Sequence, residues 1–174
     1  LERLYDATIG AMPPALALFL GAAAILSLAT WFIRKQEPDF RGPVAAILTF
    51  VFFNALFWMA FEQAGSTLNL FAQNNTDRLI GGFEMPFTWF QSINPLLIIL
   101  LAPLYALLWS RLGARGKNPT QSVKIGMGLL LLGAGYGFMV VAGSLAASGQ
   151  KVAAFWLVAT YALHTMGELC LSPT

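Results

Sequence analysis

Charged side chains are scarce in this sequence. Asp, Glu, Lys and Arg together make up only 10% of its 174 residues, whereas about 25% is usual for a soluble domain. Hydrophobic residues make up 57% of the chain. Because so few charged groups cannot cover a soluble surface, the composition excludes an ordinary globular domain and predicts a polytopic membrane protein.

Cysteine and histidine are almost absent. A single cysteine, Cys170, excludes a disulfide within the chain. The sequence contains one histidine and no HExxH, GxSxG or paired aspartates, which are the motifs of common hydrolytic sites. We therefore expect no metal site and no cofactor. A membrane-embedded enzyme using Glu62, His164 and Glu168 is the alternative from a different functional class.

The basic residues form no single patch. The net charge is only +2, and the ten lysines and arginines lie between the apolar stretches. Nucleic-acid binding needs clustered positive charge, so we expect no nucleic-acid partner.

Five apolar stretches are each long enough to cross a bilayer, since about 20 residues of helix span a hydrocarbon core of about 30 Å. They cover residues 12–33, 43–76, 86–109, 123–145 and 152–174. The expected fold is an all-α, polytopic membrane helix bundle whose partner is the lipid bilayer.

The orientation of the bundle follows from lysine and arginine near the ends of the spans, because positive charge is retained on the cytoplasmic side. The connection between the third and fourth spans has four basic residues, whereas the second and fourth connections have one each. The four are Arg111, Arg115, Lys117 and Lys124. We predict that this connection is cytoplasmic and that the N-terminus lies outside.

Two carboxylates lie inside predicted spans, Glu62 in the second and Glu168 in the fifth. A charge near the bilayer centre costs about 3 kcal/mol on insertion scales, so such a residue normally faces a bundle interior or a wet cavity. Four-residue steps place Asn54, Trp58 and Glu62 on one helical face. Glu62 is therefore the first functional candidate.

No lysine or arginine lies in the central part of a span to pair with these acids. A carboxylate removed from water without a partner takes up a proton, so the sequence predicts neutral acids, a wet cavity, or basic residues from elsewhere in a longer protein. His164 lies four residues before Glu168 and could share its face as a local hydrogen-bond partner, but a plain packing role in the bundle is the favoured interpretation. A structural subunit whose polar groups only tie helices together is a further alternative.

Proline and glycine mark two other spans. Pro95 has no amide hydrogen, so within a helix the carbonyl of Gln91 loses its donor, which indicates either a kink or a binding point. In the fourth span, Gly133 and Gly137 form a GxxxG pair, which predicts close helix packing.

Three strings together resemble the proton-dependent oligopeptide transporter (POT) family of the major facilitator superfamily. They are FWMAFEQAGSTLN (57–69), QSINP (91–95) and GELCLSP (167–173). The resemblance implies that the second to fifth spans are transmembrane helices seven to ten of the C-terminal half. It also implies that residues 1–42 are a transmembrane helix and linker inserted between two bundles, and that residues 43–174 belong to the C-terminal bundle.

The resemblance also implies roles for individual residues. Glu62 matches the carboxylate associated with proton coupling. The positions that match substrate-binding or gating residues are Trp58, Phe61, Asn94, Glu168 and Ser172. Phe61 departs from members with a polar residue there, which favours an apolar side-chain pocket.

The function implied by the resemblance is proton-coupled symport of di- and tripeptides by alternating access, in the inner (plasma) membrane. Its partners would be peptides, protons, the bilayer and an N-terminal six-helix bundle of the same protein that supplies basic residues. The alternative within the superfamily is transport of another small substrate, such as nitrate or a drug-like molecule.

Overall fold

The computed structural model describes residues 13–171, and its regular elements are helices joined by short connections. The helices are α1 (Pro14–Lys35), α2 (Pro38–Phe61), α3 (Thr67–Asn75), α4 (Ile93–Ala114), α5 (Gln121–Ala146) and α6 (Phe155–Leu171). Two 3₁₀-helices, Glu62–Gly65 and Phe87–Ser92, precede α3 and α4. The two-residue strands are β1 (Thr76–Asp77), β2 (Leu79–Ile80), β3 (Phe83–Glu84) and β4 (Val152–Ala153).

Four segments of the described chain are long and apolar enough to cross a membrane. They are Ala15–Lys35, Pro38–Asn75, Phe87–Ala114 and Gln121–Ala146, and they match the first four predicted spans. Helix α6 has 17 described residues, which correspond to about 26 Å of helix. The last three residues of the fifth predicted span lie outside the described part, so that span stays a prediction.

The second predicted span is broken rather than continuous. We expected one helix over 43–76, but α2 ends at Phe61 and Ser66 has non-helical dihedral angles (φ −118°, ψ −84°) before α3 begins. Adjacent glycine and serine residues are a common cause of sharp kinks in helices, and Gly65–Ser66 is such a pair. The break places Glu62 at the first position of the 3₁₀-helix.

The start of α4 corrects the interpretation of Pro95. We expected this proline inside a helix, but the 3₁₀-helix ends at Ser92 and α4 begins at Ile93, so Pro95 lies in the first turn. The two helices are continuous, since Ser92 and Ile93 both have helical dihedral angles and the Ile93 amide donates to the Phe90 carbonyl. Pro95 therefore lies just after the change from the 3₁₀- to the α-helical pattern of hydrogen bonds.

The connections outside the helices contain two small strand pairs. Strands β2 and β3 form a hairpin whose turn residues, Gly81 and Gly82, both have positive φ angles (59° and 88°). Glycine adopts such angles without the steric cost that other residues meet. Strands β1 and β4 pair in parallel, with Thr76 opposite Val152. The connections before α4 and before α6 therefore lie side by side.

The described residues form two compact units, one ending at Phe52 and the other beginning at Phe53. The first unit contains α1, whose apolar window has no buried residue. The second unit contains a buried cluster contributed by α3, the second 3₁₀-helix and α6. Its members are Leu68, Ala72, Phe90, Leu157 and Tyr161.

Helices α5 and α6 meet through glycines, but not through the predicted pair. Apart from the adjacent residues and the backbone of α5 itself, no atom of the described chain lies within 4 Å of a Cβ built on Gly133 or Gly137. A Cβ on Gly128 would lie 2.9 Å from the Gly167 carbonyl oxygen, and one on Gly135 would lie 2.5 Å from the imidazole of His164. The prediction of close glycine packing is right for this helix, but Gly128 and Gly135 face α6.

We expected Lys124 in the basic connection between the third and fourth spans, but the structure places it in helix α5. It lies in the second turn of α5, is only 7% exposed, and holds its ammonium group 4.4 Å from the ring centroid of Trp109. An ammonium group over an indole face is attracted by the ring quadrupole. This cation therefore stabilises the contact between α4 and α5.

Candidate functional site

A cavity of about 200 Å³ lies where the break after α2, the start of α4 and the middle of α6 meet. Its walls are Phe61, Glu62, Ala64, Gly65, Gln91, Asn94, Tyr161 and His164. Water occupies about 30 Å³ per molecule, so the cavity has room for several waters or for one small polar group.

Glu62 lies on the wall of this cavity and is exposed within the described chain. No lysine or arginine is among the lining residues. The ion pair found in residues 13–171 joins Arg78 and Glu84, at 2.6 Å, beside the hairpin. In the described part of the protein, neither Glu62 nor Glu168 therefore has a basic partner.

Asn94 connects the cavity to the second acid. Its amide nitrogen donates to a carboxylate oxygen of Glu168 at 2.9 Å and to the hydroxyl oxygen of Thr165 at 3.1 Å. The Thr165 hydroxyl in turn donates to the Tyr161 carbonyl at 2.8 Å. A charge-assisted hydrogen bond of this kind is stronger than a neutral one, so Asn94 holds the half-buried Glu168 side chain in one orientation.

Two tyrosine hydroxyls bind the backbone at the break after α2. Tyr136 of α5 donates to the Ala60 carbonyl at 2.5 Å, and Tyr161 of α6 donates to the Ala64 carbonyl at 3.2 Å. Non-helical backbone at membrane depth needs such partners, because lipid offers no hydrogen bonds. These bonds fix the segment that carries Glu62 against the two neighbouring helices.

Aromatic rings form the wall beside Glu62. Trp58 contacts Phe61 edge to face at a centroid distance of 5.3 Å, and Phe57 stacks on Phe61 at 5.6 Å. Phe57 is fully buried, whereas Trp58 is 38% exposed. Trp58 therefore does not line the cavity itself but packs against Phe61, which does.

His164 makes no hydrogen bond to Glu168 in the described chain, and its surroundings agree with the packing role that we favoured for it. The imidazole is 1% exposed, and neither ring nitrogen has a hydrogen-bond partner of acceptable geometry in the described chain. It lies between the ring of Tyr136, at a centroid distance of 4.9 Å, and the ring of Phe61, at 6.3 Å. The histidine is thus a wall of the cavity that also holds Glu62.

The structure brings four of the predicted site residues together. Phe61, Glu62 and Asn94 line the cavity, and Glu168 is joined to it through Asn94. Ser172 lies outside the described residues.

Sequence reasoning missed the residues that support this arrangement. They are Tyr136, Tyr161, Thr165 and the packing glycine Gly135. A tyrosine with a buried hydroxyl usually binds a partner, so tyrosines inside apolar spans were the available signal.

The arrangement combines two carboxylates, a primary amide and an aromatic wall. Such a set can bind a cationic group and hydrogen-bond a polar backbone, and a carboxylate in a cavity can take up and release a proton. Within residues 13–171, no group of three His, Cys, Asp or Glu side chains is placed to hold a metal ion. The chemistry that the carboxylates, the amide and the aromatic wall offer is binding and proton exchange.

Comparison with curated proteins finds peptide transporters. Peptide transporter YePEPT of Yersinia enterocolitica is 46% identical over 121 residues, which are 68% of this chain and 24% of the relative. A di-/tripeptide transporter of Lactococcus lactis is 33% identical over 144 residues, which are 80% of this chain and 29% of the relative. The chain therefore spans about a quarter of the relatives that it matches.

Comparison with solved structures agrees with the fold. A crystal structure of peptide transporter POT in complex with sulfate matches with a TM-score of 0.73 and 32% identity, over 97% of this chain and 35% of that one. The fold is therefore part of the C-terminal half of a major-facilitator bundle. The family model described as POT family matches residues 19–174. The chain belongs to the POT family.

Proposed function

We propose that this chain is part of a proton-coupled symporter that takes up di- and tripeptides by alternating access. The observation that carries the proposal is the hydrogen bond from Asn94 to Glu168 at the edge of a cavity that Glu62 lines. The names of the relatives describe peptide transport, which supports the same substrate class. Because the chain spans only part of those relatives, we call the complete protein the parent transporter.

Each site residue has a proposed role. Glu168, held by Asn94, receives the ammonium group of the peptide, and Asn94 hydrogen-bonds the peptide backbone. Glu62 carries the coupled proton. Phe61 and Trp58 form an apolar wall for a peptide side chain, and Ser172 is a further pocket or gate position.

The basic half of the site comes from elsewhere in the parent transporter. A peptide is zwitterionic, so its carboxylate needs a cation, and no lysine or arginine lines the cavity in the described chain. We propose that an N-terminal six-helix bundle supplies arginine or lysine across the cavity. Residues 1–42 would then be an inserted helix and linker, and residues 43–174 would form helices seven to ten of the C-terminal bundle.

Coupling follows if the proton and the peptide compete for the same basic partner. When Glu62 is ionised it binds that cation, and when it is protonated the cation is released to the peptide carboxylate. One pH unit contributes about 1.4 kcal/mol and 100 mV of membrane potential contributes about 2.3 kcal/mol per charge. A single proton can therefore support accumulation of several hundredfold, across the inner (plasma) membrane that we propose as its location.

The test is the substitution Glu62→Gln in the parent transporter reconstituted in liposomes. Glutamine keeps the shape and hydrogen bonding of the side chain but cannot carry the proton. We expect accumulation of labelled dialanine driven by a pH gradient to fall to the level without a gradient, while exchange of dialanine across the membrane continues. Proton-driven accumulation at the wild-type level in this variant would refute the role of Glu62.

Two controls separate coupling from substrate choice. Glu84→Gln changes an exposed carboxylate of the hairpin and should leave gradient-driven accumulation unchanged. Unlabelled dialanine should compete with labelled substrate, whereas nitrate should not. Uptake that nitrate blocks and dialanine does not would replace the peptide proposal with the alternative substrate.

A further inference from the structure

Helix α1 has a groove along one face of its C-terminal half. The groove has a volume of about 420 Å³ and is lined by Leu26, Ser27, Thr30, Trp31 and Arg34. Residues three and four positions apart lie on the same face of a helix, so these five side chains form one continuous strip. The strip is apolar at Leu26 and cationic at Arg34.

The length of α1 gives the depth of this groove in a membrane. The helix has 22 residues, Pro14–Lys35, or about 33 Å, so it just crosses a hydrocarbon core of about 30 Å. Its last turn, with Arg34, then lies at the level of the lipid headgroups. Leu26 lies about 12 Å deeper along the helix. The groove therefore runs from the headgroups into the acyl chains.

Two cations at the shallow end of the groove have no anion. The ion pair found in residues 13–171 joins Arg78 and Glu84, so neither Arg34 nor Lys35 has an acid partner in the described chain. The Lys35 ammonium lies 4.9 Å from the ring centroid of Trp31, and all three side chains are exposed. The end of α1 therefore offers two positive charges and an indole ring to a headgroup.

Arg41 is used differently from these two cations. Its guanidinium donates to the carbonyls of Gln36 and Arg34, both at 3.1 Å. These carbonyls lie at the C-terminal end of α1, where a helix carries partial negative charge. Because Arg41 offsets that charge, the end of the helix does not repel an anion bound beside Arg34.

The distribution of basic residues indicates which leaflet the groove faces. The connection after α1 is two crossings away from the basic connection before α5, so it lies on the same predicted cytoplasmic side. Anionic phospholipids are concentrated in the cytoplasmic leaflet. The apolar window of α1 has no residue that is buried within the described chain, which leaves the groove open to lipid.

We infer that this groove binds an anionic phospholipid of the cytoplasmic leaflet. The phosphate and the headgroup charge lie against Arg34 and Lys35, since guanidinium and ammonium groups form strong, charge-assisted hydrogen bonds with phosphate oxygens. An acyl chain follows the groove past Leu26 toward the membrane centre. None of the lining residues belongs to the cavity that Glu62 lines, so the inference does not depend on the proposed substrate.

The test measures lipid binding to the purified, delipidated parent transporter by native mass spectrometry. Phosphatidylglycerol and phosphatidylcholine with the same acyl chains are added at rising concentrations. The double variant Arg34→Gln/Lys35→Gln removes both charges of the groove. The matched control is Arg115→Gln/Lys117→Gln, which removes two exposed charges from the connection before α5.

A second pair of variants separates binding in the groove from general attraction between charges. Ser27→Leu fills the groove and leaves the charge unchanged. Gly21→Leu adds an apolar side chain to the same helix at a position that does not line the groove. Apart from the adjacent residues and the backbone of α1, no atom of the described chain lies within 4 Å of a Cβ built on Gly21.

We expect wild type to bind phosphatidylglycerol with a Kd about tenfold below that for phosphatidylcholine, since each basic residue at an anionic lipid surface contributes several-fold. Arg34→Gln/Lys35→Gln should lose this preference, and Ser27→Leu should weaken phosphatidylglycerol binding several-fold. Both control variants should bind like wild type. Excess inorganic phosphate should not displace the lipid, because it has no acyl chain to occupy the groove.

Three results would overturn the inference. One is a wild-type preference for phosphatidylglycerol in Arg34→Gln/Lys35→Gln or unchanged binding in Ser27→Leu. Another is an equal loss in both charge variants, which would show attraction to net charge and not to a site. The third is displacement of the lipid by inorganic phosphate, which would make the shallow end of the groove a site for free phosphate.

Discussion

Asn94 lines the cavity that Glu62 also lines, and its amide group makes the contact that orients Glu168. It lies in the first turn of α4, and both hydrogen bonds of its amide nitrogen go to α6. A carboxylate without such a donor samples several orientations, and a binding site loses affinity when its groups must be ordered by the ligand. Asn94 therefore pre-organises Glu168 before a peptide arrives.

This role predicts a clear difference between two substitutions in the parent transporter. Asn94→Leu keeps the size of the side chain and removes the donor to Glu168, so the KM for dialanine should rise about tenfold. Thr165→Val removes only the second acceptor of the same amide and should change KM by less than about threefold. Initial uptake rates measure both. If Thr165→Val raised the KM for dialanine as much as Asn94→Leu, the effect would come from disturbed packing and not from the lost hydrogen bond to Glu168.

The acids and Asn94 could be found from the sequence, because a polar group in an apolar span is conspicuous without any structure. Their supporting residues could not be found in this way. The hydrogen bonds from Tyr136 to Ala60 and from Tyr161 to Ala64 join positions 76 and 97 residues apart. Such pairs depend on how the helices pack. The local spacing of residues along the sequence carries no information about that packing. The spacing of His164 favoured a packing role without identifying its neighbours, which are the rings of Tyr136 and Phe61.

At the scale of elements, the break between α2 and α3 is the feature that shapes the site. A 3₁₀-helix bonds residue i to i+3 rather than i+4, so carbonyls at the change of pattern need other donors. Tyr136 and Tyr161 provide them from two helices. The Glu62 backbone is therefore held by side chains of α5 and α6 as well as by its own helix.

The two tyrosine bonds should differ in their contribution to stability. Tyr136→Phe removes a bond of 2.5 Å and Tyr161→Phe one of 3.2 Å, while both keep the aromatic ring. Hydrogen bonds between membrane helices average about 0.6 kcal/mol and reach about 1.7 kcal/mol. We expect Tyr136→Phe to lower the free energy of unfolding by about 1 kcal/mol and Tyr161→Phe by less. Unfolding of the purified parent transporter in detergent measures this, and the reverse order would contradict the assignment.

Hydropathy predicted four of the elements well and their interruptions poorly. An average over about 20 residues identifies an apolar segment, but it does not register the break at Gly65–Ser66 or the change from 3₁₀- to α-helix just before Pro95. The hairpin before α4 was missed although Gly81–Gly82 is a strong turn signal. The GxxxG motif correctly predicted close packing through glycines of this helix. Within the described chain, however, Gly133 and Gly137 face away from α6.

For the whole molecule, the described chain supplies only part of a binding site. Its cavity has a carboxylate, an amide and a histidine but no cation, and a zwitterionic peptide requires both signs of charge. Large apolar side chains of α1 and α4, such as Leu18 (75% exposed) and Ile99 (71% exposed), remain uncovered. Such surface suits lipid or further helices of the parent transporter.

The orientation of the bundle in the membrane follows from the length of α5 and from the positions of the basic residues. Helix α5 has 26 residues, or about 39 Å, so its two ends lie on opposite sides of a hydrocarbon core of about 30 Å. Basic residues favour a cytoplasmic position for the connection before α5. The pairing of β1 with β4 places the connections before α4 and α6 on the same side of the membrane. The distribution of lysine and arginine predicts the same arrangement, with both connections outside.

Single cysteines at two exposed positions test this orientation in intact cells. The native Cys170 is buried and should stay unlabelled, provided that any cysteines elsewhere in the parent transporter are replaced. Gln150→Cys, in the connection after α5, should react with a maleimide that cannot cross membranes. Asn118→Cys, in the connection before α5, should react only after permeabilisation. The opposite pattern would invert the bundle, and the side from which Glu62 receives its proton would then have to be reassigned.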